Sequence, residues 1–495
     1  MKHYTAYRLS TEFFAIPYQQ DTYILYSPLT QIVVLANQDM VDMVASLRDG
    51  TLPGATGANM DALQLLIESG AVNGPEDQPP NFQRRGDWKP TEVTVFLTNA
   101  CNLRCSYCYA SAGDYKGSLD RATALAAVEL VVRNTLELGQ QEFRVSYHGG
   151  GEPTLAWDTL TASALRAEEL AKRHGLKVAL NLATNGVLPS WKVDWVARHI
   201  HDFSISYDGP AWAQDRQRPT MTGAGSAETV EATLRHLDSH AARYGVRLTV
   251  TEETVLRLAD IVAYLLKRYS PSTIHLEPLF SHGRAHAKGL AAPQAWAFIE
   301  NYREAERVAR QYGLELYYSG ARLDTVTDTF CGVPEGSFNV TPEGLLTSCF
   351  EVCHPDDHLA DKFFYGGRDA STGVFTVDQA KLQTLAGHTV RERPECQDCF
   401  CKWHCAGDCI AKNMTSDDRP RDRLKAARCL INQELTRDQL VRRLEQNSTV
   451  MMQIKAMSDS ALIPLGPAEP IEPVPIQEPH APQPLVQIGL LHATR

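Results

Sequence analysis

The twelve cysteines of this 495-residue chain are spread very unevenly, and this distribution restricts the fold more than any other feature. None lies in residues 1–100, three lie in 101–108, none lies in 109–330, and nine lie in 331–429. Thiols grouped in this way are typical of metal ligands or redox groups. The sequence therefore predicts a soft metal centre in each of two places.

Disulfides are the alternative use of an even number of cysteines. They belong mainly to small secreted domains, whereas this chain is long and shows no signal peptide at Met1–Ser10. No run of about 18 apolar residues predicts a membrane span. The 59 acidic residues exceed the 48 basic ones, which disfavours nucleic acid as the main partner. We expect a cytoplasmic protein with neither membrane nor nucleic acid as a partner.

Residues 1–75 contain strand patterns followed by helical patterns and predict a small α+β module, joined by a linker over 76–90. The strands are predicted at Phe13–Pro17, Thr22–Tyr26 and Gln31–Leu35, and the helices at Gln38–Arg48 and Met60–Ser69. Residues 326–430 predict a loop-rich module held by metal, and 431–458 a helix that includes the pattern Leu430–Met457. Residues 459–495 are rich in proline and predict a disordered tail with no chemistry.

Between residues 91 and 325, apolar strand runs alternate with helical patterns. The predicted strands are Glu92–Leu97, Glu142–Tyr147, Lys177–Leu182, Asp202–Ser206, Arg247–Thr251 and Ile274–Glu277. The predicted helices are Arg121–Leu138, Ser163–His174, Thr229–Tyr244 and Ile261–Tyr269. This order predicts an α/β domain with a parallel sheet, either doubly wound or curled into a partial barrel of the TIM type with six strand and helix units. Functional residues are then expected where the strands end, beginning with Cys101 after the first strand and His148–Glu152 after the second.

The spacing Cys101-x3-Cys105-x2-Cys108 brings three thiols into one loop. A cubane iron–sulfur cluster has four irons, so three thiolates would leave one iron open to a further ligand. The glycines Gly149–Gly151 let backbone approach a ligand closely, and Glu152 adds an acceptor for an ammonium group. A structural zinc loop is the alternative, but it requires a fourth ligand and leaves the glycines unexplained.

These residues resemble the radical S-adenosylmethionine (radical SAM) enzymes, in which Tyr107 also matches the aromatic residue before the last cysteine. The resemblance implies a 4Fe–4S cluster on Cys101, Cys105 and Cys108 whose open iron chelates S-adenosylmethionine. It further implies that Gly150, Gly151 and Glu152 contact the amino group, and that a 5′-deoxyadenosyl radical abstracts hydrogen from substrate. By the same resemblance Ser206 and Arg218 contact the ribose and carboxylate, although the family often has histidine where Gln214 stands.

The second cysteine region is similar to the SPASM extension of peptide- and protein-modifying radical SAM enzymes. This resemblance implies two auxiliary 4Fe–4S clusters, and therefore three clusters in the chain. Their ligands would be Cys331, Cys349 and Cys409 for one cluster, and Cys396, Cys399, Cys405 and Cys429 for the other. Two complete clusters need eight thiolates, and Cys353 is the candidate for the eighth. Cys401 is interpreted as a free thiol, and a pair of structural zinc sites is the alternative for the region.

Three other polar residues have no role that the sequence assigns. His148 and His404 are more often packing or hydrogen-bonding residues than ligands in such places. Asp208 fits a proton acceptor, but a turn-forming Asp-Gly-Pro explains it equally well. The amino-terminal module resembles the winged-helix element that binds precursor peptides by adding a strand to its sheet edge, with a plain capping module as the alternative.

The combined features predict a radical SAM maturase that modifies a ribosomally made precursor peptide. We expect a thioether or carbon–carbon crosslink, with an auxiliary cluster accepting the surplus electron and an external donor of the flavodoxin or ferredoxin type. The alternatives within the class are a formylglycine-forming sulfatase maturase and a maturase of a quinohemoprotein amine dehydrogenase. Outside the class, the alternatives are an iron–sulfur electron carrier and a zinc-dependent binding protein.

Overall fold

The computed structural model describes residues 7–19, 21–50, 57–84, 86–414 and 421–446. The predicted proline-rich tail and the end of the predicted carboxyl-terminal helix lie outside these ranges. No helix in the part of the chain that is described combines the length and apolar composition needed to cross a membrane.

The amino-terminal module has the predicted order of strands and then helices. It contains β1 (Phe14–Pro17), β2 (Thr22–Ser27), β3 (Ile32–Asn37), α1 (Gln38–Arg48) and α2 (Gly57–Glu68). The strands form an antiparallel sheet in the order β1-β2-β3. Helix α1 begins where it does because the side chain of Asn37 accepts a hydrogen bond from the Met40 N–H at 3.0 Å and satisfies a free amide of the first turn.

Both faces of this small sheet are buried. Leu25 and Val34 on one face pack against α1 and α2. Ile24 and Tyr26 on the other face pack against the second cysteine region, in a cluster that includes Cys401. The alternation of side chains along a strand thus divides each strand between two cores. The module is therefore fixed against the cysteine region and shares a core with it.

A mostly parallel sheet forms the centre of the molecule, and the prediction of a six-strand partial barrel is confirmed. Its strands are β4 (Glu92–Val95), β5 (Glu142–Tyr147), β6 (Lys177–Thr184), β7 (Asp202–Ser206), β8 (Gly245–Val250) and β9 (Thr273–Pro278), with β10 (Leu316–Tyr317) added in parallel to β9. The helices around them are α3 (Arg121–Glu137), α4 (Trp157–His174), α5 (Ser190–His199), α6 (Ala211–Gln217), α7 (Ala227–Ser239), α8 (Leu258–Leu266), α9 (Arg284–Ala287) and α10 (Ala295–Gln311). Val145, Leu248 and Leu276 pack outward into the core beneath the helices, so the alternate residues face the barrel interior.

The same sheet continues into the cysteine-rich region, which the sequence did not predict. The continuation contains β11 (Asn339–Val340), β12 (Leu345–Thr347), β13 (Phe364–Arg368) and β14 (Phe375–Val377). Strand β11 pairs in parallel with β4, and the other three strands follow antiparallel. Strands of two or three residues are too short to show an alternating pattern in sequence. The cysteine-rich region is thus joined to the barrel through backbone hydrogen bonds.

The remaining helices are α11 (Ala360–Phe363), α12 (Gln379–Ala386), α13 (Lys402–Cys405), α14 (Ile410–Asn413) and α15 (Arg421–Gln446). Helix α15 begins nine residues before the predicted Leu430. The sequence did not predict its first turns because they are charged and lack apolar periodicity. Arg303 on α10 ties this helix to the barrel through Glu434 and Asp438, each at 2.7 Å.

Residues 76–90 contain no helix or strand among those described, as expected of a linker. This segment is nevertheless held against the cysteine-rich region. Arg391 donates hydrogen bonds to the carbonyls of Pro79 and Pro80 at 2.9 and 2.7 Å, and the Trp88 indole N–H donates to the carbonyl of Gly336 at 3.0 Å. The segment is thus a fixed strap between the amino-terminal module and the barrel.

Candidate functional site

The loop that follows β4 carries the first three cysteines, and N–H groups face their sulfurs. The Leu103 amide lies 3.4 Å from Cys101 Sγ, and the Ala112 amide lies 3.3 Å from Cys108 Sγ. Hydrogen bonds of this kind stabilise thiolates, which are the form that binds metal.

Burial has the opposite effect on these thiols. Burial, with a smaller contribution from the neighbouring thiols, raises the pKa of Cys101 to about 11 and that of Cys105 to about 12. Three soft donors that act on one another in a half-buried loop fit an iron–sulfur cluster, since a bound cation removes the cost of holding thiolates there.

The glycines after β5 pack directly onto this loop. A Cβ atom on Gly151 would lie 1.9 Å from the carbonyl oxygen of Ala100, so only glycine fits. Gly149 and Gly150 adopt φ angles of +76° and +58°. The Gly151 and Glu152 amides donate to the carbonyls of Thr98 and Ala100 at 2.7 and 2.8 Å. The glycine run therefore positions the chain immediately before Cys101.

The Glu152 carboxylate is buried and already accepts four hydrogen bonds from this chain. Thr154 supplies its amide at 3.1 Å and its hydroxyl at 2.6 Å, the Thr184 hydroxyl lies at 2.8 Å, and the Asn185 amide at 2.8 Å. Burial raises the pKa of Glu152, and the hydrogen bonds oppose that rise. Asn185 in turn places its side-chain N–H 3.7 Å from Cys101 Sγ. Glu152 thus ties the ends of β5 and β6 to the cysteine loop, a role that the sequence did not predict.

Asp208, which the sequence left without a role, organises the opposite side of the site. It is fully buried and accepts hydrogen bonds from the Tyr107 hydroxyl, from Gln217 at 2.8 Å and from Arg218 at 2.9 Å. Burial lowers the pKa of the Arg218 guanidinium, but Asp208 more than offsets this effect and the net pKa is raised. Arg218 also lies 5.1 Å from the centre of the Tyr107 ring and 4.0 Å from Cys105 Sγ. Asp208 therefore connects two of the predicted cofactor contacts.

Ser206, the third predicted contact on this side, is the last residue of β7. It is half-buried, on the strand face opposite the core residue Ile205, and pairs in register with Arg247 of β8.

The sequence signal for the role of Asp208 was its place in a turn at the end of a strand, but a turn-forming role explained that place equally well.

The second region brings its cysteines together in two sets. Cys349 and Cys409 act electrostatically on each other and on Cys331. Cys396 is in the same relation to Cys399, Cys405 and Cys429. These groupings match the two ligand sets that the resemblance implies.

Cys353 lies at the first site and is not brought into the set for which it was predicted. Its buried thiol accepts a hydrogen bond from the Gly150 amide, and Cys108 acts on it. The spacing Cys349-x3-Cys353 would place two side chains on one face of a helix, but the backbone here is irregular. The structure therefore places Cys353 beside the first site, and its role as the eighth thiolate stays a prediction.

Cys401 lies inside the set of Cys396, Cys399, Cys405 and Cys429. Its Sγ atom is 3.3 Å from Cys399 Sγ, and the Gln433 side-chain amide is 3.4 Å from the same Cys399 sulfur. The hydrogen bond from Cys401 is the main cause that lowers the pKa of Cys399 to about 7. Cys401 is thus in contact with a predicted ligand. This differs from the free thiol that the sequence predicted.

The two histidines left without a role differ in their surroundings. His404 donates from Nδ1 to the Thr325 carbonyl at 2.8 Å and accepts at Nε2 from the Tyr26 hydroxyl at 2.5 Å, so it joins the amino-terminal sheet to the cysteine region. His148 is half-buried, the loss of solvent around its ring lowers its pKa to about 4, and its buried Nδ1 has no hydrogen-bond partner among the described residues.

Comparisons with known proteins agree with this geometry. The Radical SAM superfamily model matches residues 95–262. The serine-type anaerobic sulfatase-maturating enzyme of Klebsiella aerogenes is 28% identical over 334 residues, which cover 63% of this chain and 77% of that protein. The cysteine-type enzyme of Clostridium perfringens is 22% identical over 339 residues, which cover 65% and 89% respectively.

Among solved structures, native anSMEcpe with bound AdoMet and the Cp18Cys peptide has a TM-score of 0.55 at 16% identity, covering 72% of this chain and 99% of that one. This likeness supports the fold. The matched domain, the three-cysteine loop and the glycine strand end define the class of domain: residues 95–262 form a radical SAM domain. The relatives that share 63% and 65% of its length are sulfatase maturases.

Proposed function

We propose that this radical SAM enzyme is a maturase that oxidises a residue of a peptide or protein substrate. The observation that carries the proposal is the pairing of β11 with β4, which joins a second cysteine-rich region to the barrel that holds the first cysteine site. A three-cysteine loop and a cysteine-rich region joined through one sheet suit a reaction that needs both a radical initiator and an electron acceptor.

When bound, the cluster and S-adenosylmethionine supply the 5′-deoxyadenosyl radical that abstracts hydrogen from the substrate. Cys101, Cys105 and Cys108 would hold the cluster, and their loop is kept in place by Gly151 and Asn185. The backbone at Gly150 and Gly151, with Glu152, would bind the amino group of the cofactor. Ser206 and Arg218 would bind its ribose and carboxylate, and Asp208 orients the Arg218 guanidinium.

The auxiliary clusters are assigned to the two cysteine sets of the second region, giving three clusters in total. Cys331, Cys349 and Cys409 hold one of them, and four further thiols hold the other. Closing a bond between two side chains removes two hydrogens in total, so one electron must leave the substrate radical. An auxiliary cluster is a suitable acceptor for it, and an external donor of the flavodoxin or ferredoxin type resupplies the first cluster. A reducing compartment such as the cytoplasm keeps the thiols available.

A ribosomally made precursor peptide is the substrate that the amino-terminal module favours. Its three-stranded sheet ends at two edge strands, β1 and β3, and an extended peptide can add to such an edge. The expected product is a thioether or carbon–carbon crosslink. Because the module shares a core with the second cysteine region, a peptide bound to it would be held beside the enzyme's redox groups.

Formylglycine formation on a sulfatase is the second candidate, and the relatives favour it. Serine oxidised to formylglycine loses two hydrogens, as a crosslinked peptide does, so mass alone does not separate the two products. Only the formylglycine aldehyde reacts with a hydrazide reagent.

The test uses anaerobically reconstituted protein with S-adenosylmethionine and a reductant. We expect roughly 12 iron atoms per chain and production of 5′-deoxyadenosine. Peptides encoded beside this chain and a serine-containing sulfatase peptide are then compared as substrates by mass and by hydrazide labelling. A colourless protein that contains only zinc contradicts the proposal, and hydrazide labelling of the sulfatase peptide selects the second candidate.

A further inference from the structure

Helix α15 and the loop before α13 aim two separate groups at one sulfur, Cys399 Sγ. The Cys401 thiol approaches it to 3.3 Å and the Gln433 amide to 3.4 Å. Gln433 lies one helical turn after Cys429, itself a member of the same cysteine set, so both residues face the set from α15. The two contacts come from segments about thirty residues apart and are independent of each other.

The surroundings of Cys401 keep its thiol directed at the set. Cys401 is 1% exposed and packs in the core that includes Tyr26 and Leu440. Its carbonyl accepts the amides of His404 and Cys405 at 2.9 Å, and this turn brings Cys405 back towards Cys401. A hydrogen bond in such a dry site is stronger than one in water.

We propose that Cys401 is a hydrogen-bond donor to the auxiliary cluster held by Cys396, Cys399, Cys405 and Cys429, and that together with Gln433 it raises the reduction potential of that cluster. This inference rests on the proposed function, because it requires the cluster. Four thiolates already provide one ligand for each iron, so the fifth thiol has no iron to bind. A donor to a ligand sulfur withdraws negative charge and thereby stabilises the reduced cluster. Cys401 is a positioning residue in this proposal.

The experiment measures potentials in a variant that lacks the first cluster. Cys101, Cys105 and Cys108 are replaced by alanine, so that only auxiliary signals remain in a redox titration followed by electron paramagnetic resonance. Cys401→Ala, Cys401→Ser and Gln433→Met are then added one at a time. Gln439→Met is the matched control, because the Gln439 amide on the same helix bonds to Ala321 and Leu323, away from the sulfurs.

With Cys401→Ala we expect unchanged iron content and a lower midpoint potential for one auxiliary signal. The expected change in its reduced-to-oxidised ratio at fixed potential is about tenfold, or 59 mV for a one-electron couple. Gln433→Met should shift the same signal in the same direction. Cys401→Ser keeps a donor and should remain close to the starting potential, and Gln439→Met should not move it.

The other outcomes each decide one question. Loss of one cluster's iron in Cys401→Ala would make Cys401 a ligand and overturn the inference. Unchanged potentials in both Cys401→Ala and Gln433→Met, with iron present, would overturn it as well. If the starting variant binds no iron at all, the auxiliary clusters and the proposed function fail together, which is a different result from a missing shift.

Discussion

Both cysteine regions bring thiols together in the folded chain, but the thiols come from different separations in the sequence. In the first, the three predicted ligands come from eight consecutive residues, and the loop is supported from outside by Gly151, Asn185 and Arg218. In the second, the ligands come from positions between 331 and 429 and meet only when the chain folds. We expect that a cluster at the first site would add mainly chemistry, whereas the two proposed for the second region would also contribute to the stability of the fold.

The largest expected effect compares the loss of ligands in the two regions. Replacing Cys101, Cys105 and Cys108 by alanine should abolish 5′-deoxyadenosine production while changing the melting temperature by about 2 °C at most. Replacing Cys405 and Cys429 should remove several kcal/mol of metal-dependent folding energy and make the chain sensitive to protease. Scanning fluorimetry measures the melting temperature of each variant, and limited proteolysis measures its sensitivity to protease. Equal loss of stability in the two variants would remove the distinction between the regions.

The next effect concerns the support of the first site by Asp208. Asp208→Asn keeps the side-chain shape but leaves the buried Arg218 cation without its counter-charge, which should cost about 3–5 kcal/mol in urea unfolding and weaken S-adenosylmethionine binding. Glu253→Gln is the control, because Glu253 forms an exposed ion pair with Arg216 and should change stability by less than about 1 kcal/mol. Equal effects of the two substitutions would show that Asp208 gives the site no special support.

A smaller effect follows from the close packing of Gly151. The added methyl group of Gly151→Ala collides with the Ala100 carbonyl and should displace the chain before Cys101, at about 1–3 kcal/mol. Iron analysis should show loss of about four of the 12 irons, with the second region still loaded. Gly387→Ala, whose Cβ would lie 3.4 Å from the Thr384 carbonyl, should retain all of its iron. Full loading of Gly151→Ala would show that the glycine contact does not position the loop.

The smallest effect tests the contact between the two regions. His282, after β9, donates to Asp357 of the second region at 3.2 Å. Burial lowers the pKa of His282, but Asp357 outweighs it and the net pKa is raised. The charged pair should therefore stabilise the fold fully below the unfolded pKa of about 6.5 and lose its contribution as the pH rises through the folded pKa.

The measurement compares the unsubstituted chain with His282→Gln, which keeps a neutral donor. We expect the difference in unfolding free energy to be about 1 kcal/mol at acidic pH and to diminish at alkaline pH. A difference that is constant across pH would assign the effect to packing alone.

Elements with a long periodic pattern were predictable. Strands β5 and β7 and helix α1 begin and end at the predicted residues. The extension of the sheet through β11 was not predicted, because two residues carry no periodicity and the pairing partner β4 lies more than 240 residues earlier in the sequence. Local patterns cannot report contacts over that separation.

The residues of the candidate site also divide into those that the sequence predicts and those that it does not. Cys101, Cys105 and Cys108 were found from spacing because a short loop holds them together in any fold. Asp208 has a turn-forming position that explains it without any site, and only its buried contact with Arg218 shows its role.

The sequence by itself determined the three-cysteine loop and, to within two residues, where the barrel strands end, since chain connectivity limits how far neighbouring residues can separate. The tertiary structure alone decided the partners of the two remaining thiols. Cys353 meets the first site, and Cys401 meets Cys399. The physical reason is that irregular backbone carries each of them to its neighbour, and the direction of that path depends on packing between segments that are distant in sequence.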